Sequence, residues 1–313
     1  MDGQPRFEKA FDRVHHNALF DALRGQDVDD PTIALLLEIY SGQRGCVHGS
    51  REFDIARGVR QGDVISSLLF NAVIELVFKR WKLRLSHHGW LLTPGSERLT
   101  NTRYADDILL YAKSLEELEE MLGLLDDELA SVGLELHEGK TKIITSDLSN
   151  SISFVEISSK LIEVLGPQKS HKYLGKYLIA DTSRNQVELQ HRIQIAWHAF
   201  HKHRRWLLNR NVPVQLRLRL FSSVVTPSVL FGSSVLSLTQ TQLHRLGTVQ
   251  RRMLRNIIGW VRVDGEDWHD TMSRMKSRMA RASLQFFVTP WEFQFHKAQW
   301  SYAIHASRCS NTS

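Results

Sequence analysis

Two adjacent carboxylates, Asp106 and Asp107, lie between two short apolar segments in the stretch LTNTRYADDILLYA, residues 99–112. The flanking residues 100–103 and 108–111 are predicted to form strands, so both acids are expected at the tip of a hairpin. Neighbouring carboxylates repel each other, and a divalent cation such as Mg²⁺ relieves that repulsion because it prefers oxygen ligands. Carboxylates in such an arrangement can hold the metal ions of two-metal phosphoryl transfer. The alternative is a solvated turn, since Asp is common in turns.

Tyr104 and Ala105 precede these acids, and the tetrad resembles the metal-binding motif of reverse transcriptases. A second stretch, GVRQGDVISSLLFN at residues 58–71, resembles the template-and-nucleotide motif of non-LTR (LINE-type) retrotransposon reverse transcriptases. Gly residues there allow close backbone approach, and a Gln amide offers both donors and an acceptor beside a nucleotide. The resemblance implies nucleotide or template contacts from Arg60, Gln61, Gly62 and Tyr104.

The stretch FEKAFDRV at residues 7–14 resembles a further polymerase motif, which usually opens with a metal-binding aspartate. Here that position holds Arg6. By the resemblance, Phe7 and Ala10 contact the incoming nucleotide, and Phe11 is the aromatic gate that disfavours a 2′-hydroxyl. The alternative for Ala10 and Phe11 alone is the start of an amphipathic helix.

Two later motifs complete the resemblance. Lys140, in GLELHEGKTK, matches a lysine that donates a proton to the departing pyrophosphate, although a lysine is also an ordinary surface residue. The stretch HKYLG at residues 171–175 resembles the primer grip, which implies primer contacts from Tyr173, Leu174 and Gly175.

The resemblance implies an α+β fold: a right-hand polymerase palm at residues 1–182, with a small antiparallel sheet backed by helices, then an α-helical basic thumb at residues 183–313. Six residues precede Phe7, so the fingers are expected to be largely absent from this N-terminally truncated chain. The implied partners are an RNA template, a DNA primer and deoxynucleoside triphosphates. The implied cofactor is Mg²⁺ or Mn²⁺, held by Asp106 and Asp107.

Composition agrees with a folded polyanion-binding protein. The chain has 313 residues, which suits about two domains, and a net charge of +6. Two cysteines, Cys46 and Cys309, provide neither a disulfide framework nor a zinc knuckle. No apolar run approaches a membrane span and the N-terminus has no secretory core, so a nuclear or cytoplasmic location is expected.

The positive charge is concentrated in the second half of the chain. Residues 184–281 contain 17 Lys or Arg and 5 acids, and helices are predicted at about 184–209, 213–225 and 240–258. Seven arginines are candidate contacts to nucleic-acid phosphates, although each group alone would suit an exposed helix face. These are Arg204, Arg205, Arg217, Arg219, Arg251, Arg252 and Arg255.

Local signals predict several element boundaries. Asp30 before Pro31 is predicted to cap a helix that runs to Tyr40, and Ser66 to cap one that begins near Leu68. A hairpin is predicted from 46–48 and 52–55, and capping boxes are predicted at Ser114 and at Thr239 to Gln242, with Gly259 ending the second of these helices. The acids of the following helix are predicted to form a solvated face; they are Glu116, Glu119, Glu120, Asp126 and Asp127.

Arg6 bears directly on activity. A cation in place of a ligand costs about 4 kcal/mol per unit charge at ~4 Å and an effective dielectric of about 20. Neither Asp2 nor Glu8 is well placed to substitute. We therefore predict an RNA-directed DNA polymerase domain with little or no activity as written. Two alternatives stay open: an inactive remnant that binds nucleic acid, and a reading frame that continues upstream of Met1.

Overall fold

The computed structural model describes residues 2–4, 10–46, 51–60, 62–105, 107–147, 152–181 and 183–309, with the backbone alone for 2–4 and 10. The chain divides into two compact units, Met1–Asp181 and Thr182–Ser313, called the first and second unit below. In the first unit the helices are α1 (Ala10–Arg13), α2 (His16–Arg24), α3 (Asp30–Tyr40), α4 (Val64–Arg84) and α5 (Leu115–Ser131). Its strands are β1 (Asp2–Gln4), β2 (Arg44–Gly45), β3 (Phe53–Asp54), β4 (Trp90–Leu91), β5 (Arg98–Leu99), β6 (Asn101–Tyr104), β7 (Asp107–Tyr111), β8 (Lys142–Ile144), β9 (Phe154–Ile157), β10 (Lys160–Leu165), β11 (His171–Tyr173) and β12 (Lys176–Leu178).

A six-stranded sheet organises the first unit, in the order β6-β7-β1-β8-β10-β9. The predicted antiparallel pairing is confirmed for four of the five strand pairs of this sheet, whereas β10 pairs with β8 in parallel. The cause is the β9–β10 hairpin, whose turn residues Ser158 and Ser159 both have positive φ. That turn folds β10 back between β9 and β8, so β10 runs in the direction of β8.

Helices α2, α4 and α5 pack into one core with this sheet. Helix α5 contributes a leucine face to this core, since Leu118, Leu122 and Leu125 are fully buried. Trp81 of α4 is also fully buried, and its indole N–H donates to the carbonyl of Met121 at 2.9 Å. This hydrogen bond satisfies the polar end of the largest side chain in the core.

Three boundary predictions are corrected. Asp29, and not Asp30, caps α3, because its carboxylate accepts from the N–H of Thr32. Asp63, and not Ser66, caps α4, which begins at Val64 and buries the Ser66 side chain. The hairpin prediction holds with a shift: β2 pairs with β3, and residues 47–50 lie outside the described part.

The predicted solvated acidic face of α5 is wrong at one position. Asp126 is buried, where its carboxylate accepts from the ammonium of Lys160 at 2.7 and 2.9 Å and lies 3.5 Å from the backbone N of Leu136. A carboxylate that gains a charged partner and a backbone donor can be buried without a large penalty.

All regular secondary structure in the described residues of the second unit is helical. Thr239 and Gln242 form the predicted capping box and Gly259 ends that helix, whereas the first predicted helix ends at Lys202 rather than 209. The π-helical turn Phe221–Val225 joins two of the helices. The helices are α6 (Arg184–Lys202), α7 (Arg204–Leu207), α8 (Val214–Leu220), α9 (Thr226–Leu230), α10 (Gln240–Ile258), α11 (Trp268–Gln285) and α12 (Trp291–Cys309).

The core of the second unit surrounds Trp291, which is fully buried. Its ring stacks on Phe221 with centroids 5.7 Å apart, and its N–H donates to the hydroxyl of Thr226 at 2.9 Å. By length and composition alone, Val214–Val235 could cross a membrane, which sequence inspection missed. Phe221 and Val225 of that segment are buried in this core, and one third of its most apolar window is buried in all.

Candidate active site

The hairpin of β6 and β7 carries the central motif. Tyr104 pairs with Asp107, so the predicted strands are confirmed, and Ala105 lies in the turn that follows Tyr104. Ala105 has a φ of 52°, in the left-handed region that residues other than glycine rarely adopt. Asp107 is half-buried and Tyr104 is 68% exposed, whereas Asp106 lies outside the described residues.

A cavity of about 480 Å³ opens beside this hairpin, and we call it the Asp107 cavity. It brings together four residues that the sequence predicted from three separate motifs: Asp107, Lys140, Leu174 and Gly175. His171 and Lys172 also line it and were not predicted as site residues, although they begin the HKYLG motif. Asp107 is the one carboxylate among its described lining residues.

The hairpin of β11 and β12 forms one wall of this cavity. Tyr173 pairs with Lys176, so Leu174 and Gly175 form a two-residue turn in which φ is 47° and 74°. Positive φ at both positions is the signature of the tightest hairpin turns. The Tyr173 hydroxyl reaches to 3.5 Å from the backbone carbonyl oxygen of Asp107.

Strand β1 lies between β7 and β8 and pairs antiparallel with both. Against β7, Asp2 is paired with Tyr111 and Gly3 with Leu110, so β1 advances toward the Asp107 end of that strand. Strand β1 ends at Gln4, two residues before Arg6; Arg6 and Phe7 lie outside the described residues.

The GVRQG segment is fixed to the residues around α1. The N–H groups of Gly58 and Val59 donate to the carbonyls of Val14 and Phe11 at 2.7 and 2.6 Å. Gly58 has a φ of 91°, and a Cβ there would lie 2.9 Å from the carbonyl oxygen of Asp12. Only glycine allows this close approach of two backbones.

The other predicted nucleotide contacts lie on or near this segment. Phe11 is half-buried and stacks on Phe70 of α4, with ring centroids 4.8 Å apart. Arg60 is exposed and lines a second cavity, of about 1090 Å³, together with the unpredicted Arg57. Gly62 has open space around it. Gln61 lies outside the described residues, as does the side chain of Ala10.

The described residues provide no group of three His, Cys, Asp or Glu side chains that could hold a metal ion. Asp107 alone of the predicted metal ligands is described. The fit of a metal to this site is therefore not established by the described residues, and Mg²⁺ binding stays a prediction.

The second unit separates the seven predicted phosphate-contacting arginines into two groups. Arg251 is paired with Glu292 at 3.2 Å, and Arg205 and Arg219 are exposed on helices. The other four line one cavity of about 800 Å³, joined by Arg210, which sequence inspection missed; the four are Arg204, Arg217, Arg252 and Arg255. We call it the arginine cavity.

A family model for reverse transcriptase (RNA-dependent DNA polymerase) matches residues 7–178. This match covers more than half of the chain and includes every residue of the Asp107 cavity. The chain belongs to the reverse transcriptase family.

Relatives of this reverse transcriptase domain are non-LTR retrotransposon proteins. The chain is 30% identical over 183 residues to the Pol polyprotein of the type-1 retrotransposable element R2 from Nasonia vitripennis, covering 54% of this chain and 17% of that protein. It is 26% identical over 271 residues to the transposon TX1 149 kDa protein of Xenopus laevis, covering 83% and 19%. The chain thus spans less than a fifth of these relatives and is a reverse transcriptase domain of the non-LTR retrotransposon type.

Two solved structures are similar to the chain over most of its length. The telomerase of Candida albicans aligns with 92% of this chain and 47% of its own, with a TM-score of 0.38 and 13% identity. The apo telomerase of Candida tropicalis aligns with 90% and 43%, with a TM-score of 0.43 and 11% identity.

Proposed function

We propose that this chain binds an RNA template and a DNA primer as a reverse transcriptase domain, and that it adds deoxynucleotides poorly because Arg6 replaces a metal-binding aspartate. The observation that carries the proposal is the Asp107 cavity, in which residues of three separate polymerase motifs converge. Such convergence is expected of a site that handles one substrate and is not required of a structural core.

Each residue of the cavity has a distinct role in this proposal. The hairpin turn at Leu174 and Gly175 positions the primer end, because both residues line the same cavity as Asp107. Lys140 is exposed at the cavity and supplies a proton to the leaving pyrophosphate. Phe11, held in place by its stack on Phe70, restricts the sugar of the incoming nucleotide.

Asp106 and Asp107 would bind Mg²⁺ weakly, because Arg6 stands where the motif has a third carboxylate ligand. Bound divalent cations would neutralise the phosphates and activate the attacking hydroxyl. An arginine at position 6 opposes that binding by charge, at a cost of about 4 kcal/mol for groups ~4 Å apart. The position of β1 beside β7 supports this, since its pairing register advances toward Asp107.

The deciding experiment is a primer-extension assay on the purified chain with Mg²⁺. Wild type should extend poorly and Arg6→Asp at least tenfold better, because the variant exchanges a repelling cation for a ligand. The double variant Arg6→Asp/Asp107→Asn should lose the gain. The explanation from Arg6 is wrong if wild type already extends as well as Arg6→Asp, or if neither chain extends.

Binding is measured separately, by fluorescence anisotropy with a labelled RNA–DNA hybrid. The proposal expects affinity to fall steeply with salt, because each phosphate contact releases counterions. A catalytically inactive remnant that binds nucleic acid is the second candidate function. It is favoured by the basic second unit, and it would bind the hybrid while Arg6→Asp fails to extend it.

A further inference from the structure

The arginine cavity has an unusual concentration of charge. It is formed by the end of α6, α7, the start of α8, the C-terminal part of α10 and the loop that follows. Five arginines line it, and its described lining residues include neither Asp nor Glu. Guanidinium groups present fixed donor arrays that match phosphate oxygens, so this cavity favours a phosphate-bearing ligand.

Carboxylates elsewhere in the second unit do not neutralise these arginines. Glu188 is paired with Arg192 at 2.6 Å, Glu266 with Arg274 at 2.6 Å, and Glu292 with Arg251. None of these six residues lines the arginine cavity, and neither does any of the other acids of the second unit, Asp264, Asp267 and Asp270. Its positive charge is therefore available to a ligand from outside.

Two of the arginines are fixed by other contacts. Arg217 is buried and donates to the carbonyls of Val212, at 3.0 Å, and Ile257. Burial lowers the pKa of Arg217, and the nearby charges of Arg210 and Arg278 lower it further. The Arg252 guanidinium lies over the ring of Trp197, 5.5 Å from its centroid. The positive charge at the cavity floor is thus preorganised rather than mobile.

An indole lies at the edge of the same cavity. Trp260 lines it, is 38% exposed, and contacts Trp268 with ring centroids 5.6 Å apart. Its loop is tied to α11, because Arg274 donates to the carbonyl of Val261 at 2.6 Å and also pairs with Glu266. A held indole beside guanidinium groups is the combination that binds unpaired bases by stacking.

The shape of the cavity discriminates between nucleic-acid forms. A volume of about 800 Å³ is that of a small-ligand pocket. Duplex phosphates lie on a convex surface with the bases enclosed, whereas unpaired nucleotides can turn both phosphate and base into a concavity. We propose that the arginine cavity binds one or two unpaired nucleotides of a single strand, with phosphates on Arg204 and Arg255 and a base on Trp260. The proposal rests on nucleic-acid binding as the function of this chain.

The first test compares two charge-matched variants by fluorescence anisotropy. Arg204→Gln/Arg255→Gln removes two charges at the cavity, and Arg245→Gln/Arg281→Gln removes two from exposed helix positions away from it. The probes are a short labelled RNA strand, the DNA strand of the same sequence and their hybrid. The cavity variant should bind single strands about tenfold more weakly. Its plot of log K against log salt should also be less steep, with a slope smaller in magnitude by about 1.4. The matched control should change both much less.

The second test isolates stacking. Trp260→Ala should weaken single-strand binding by about 5- to 150-fold and leave hybrid binding unchanged. Trp268→Ala is the matched control, because both substitutions break the same indole contact but Trp268 does not line the cavity.

The outcomes separate this proposal from the proposed function. Equal losses in the two arginine variants, or an equal loss of hybrid binding in Trp260→Ala, overturn the cavity proposal while nucleic-acid binding stands. If wild type binds none of the probes, the proposed function fails as well. Comparison of the RNA strand with the DNA strand decides which of them the cavity prefers. A loss of affinity for only one of these two strands also supports the proposal.

Discussion

The Asp107 cavity is framed by backbone turns, whereas the arginine cavity is framed by long side chains on helices. In the first, the lining residues Leu174 and Gly175 form a turn with positive φ, and Ala105 of the neighbouring hairpin also has positive φ. In the second, five guanidinium groups define the lining, and four of them are on helices that pack through the Trp291 core. The first unit thus forms its candidate site mainly with backbone turns, whereas the second unit forms its candidate site mainly with side chains.

This difference teaches where each site is vulnerable. A site built from backbone turns is sensitive to any change in φ preference or backbone spacing, because turns tolerate few conformations. A site built from helix side chains is sensitive to charge and tolerant of small backbone adjustments, because arginine side chains are long and the helices are stabilised elsewhere. The next three predictions test this comparison, from the largest expected effect to the smallest.

Gly58→Ala should give the largest effect, a loss of about 2–5 kcal/mol in the free energy of unfolding. The new methyl would lie 2.9 Å from the Asp12 carbonyl oxygen at a φ of 91°. Overpacking costs about 1–3 kcal/mol and left-handed backbone about 1–2. Urea unfolding followed by circular dichroism measures the change.

Gly62→Ala is the control for Gly58→Ala. Gly62 has nearly the same φ, 90°, but nothing lies within 4 Å of the added Cβ. It should therefore cost about 1–2 kcal/mol, from backbone strain alone. Equal losses in the two variants would mean that the contact between Gly58 and Asp12 contributes nothing.

Leu174→Asn should stabilise the chain by up to about 1 kcal/mol, since Asn tolerates the left-handed region better than Leu does. Leu174 has a φ of 47° and is partly exposed, so little apolar burial is lost. Thermal unfolding measures the gain, and Leu216→Asn, at an exposed helical position, should not stabilise. A destabilised Leu174→Asn would contradict the assignment of strain to this turn.

The smallest expected effect is on the pH dependence of stability, and it arises at Glu266 in the loop between α10 and α11. Arg274 beside Glu266 holds the pKa of that carboxyl at about 2, and the Thr271 hydroxyl adds to the effect. The ionised carboxyl stabilises the folded state above its ordinary pKa of 4.5, and that contribution is lost as pH falls from about 4.5 toward 2.

Glu266→Gln should therefore lower the free energy of unfolding near neutral pH, and the difference from wild type should vanish near pH 2. Unfolding by urea across this pH range measures it. Asp264→Asn, at an exposed position in the same loop, is the control and should follow wild type. A difference that persists unchanged to pH 2 would show that ionisation of Glu266 is not responsible.

Local signals predicted the elements that depend on neighbours in sequence. The capping box at Thr239, the end of α10 at Gly259 and the strands flanking Asp107 are all as predicted. Each depends on hydrogen bonds within a few residues, so a single sequence contains the information. The caps at Asp29 and Asp63 were missed because several polar residues near each helix start could accept the same N–H groups.

Long-range features were not predictable in the same way. The burial of Asp126 depends on Lys160, which is 34 residues away. The parallel pairing of β8 with β10 depends on the hairpin of β9 and β10. Arg210 lines the same cavity as Arg252 only because α7, α8 and α10 pack around one core. None of these pairings leaves a periodic or motif signal in the sequence.

The sequence by itself determined the family, because ordered motifs such as YADD and GVRQG specify chemistry through residue types at fixed spacing. It also determined that the second unit is basic and helical, because charge and apolar period are local properties. Tertiary structure alone decided which residues of separate motifs share a cavity, and which four of the seven predicted arginines converge. The physical reason is that convergence depends on packing between distant segments, and packing is set by side-chain shape across the whole core.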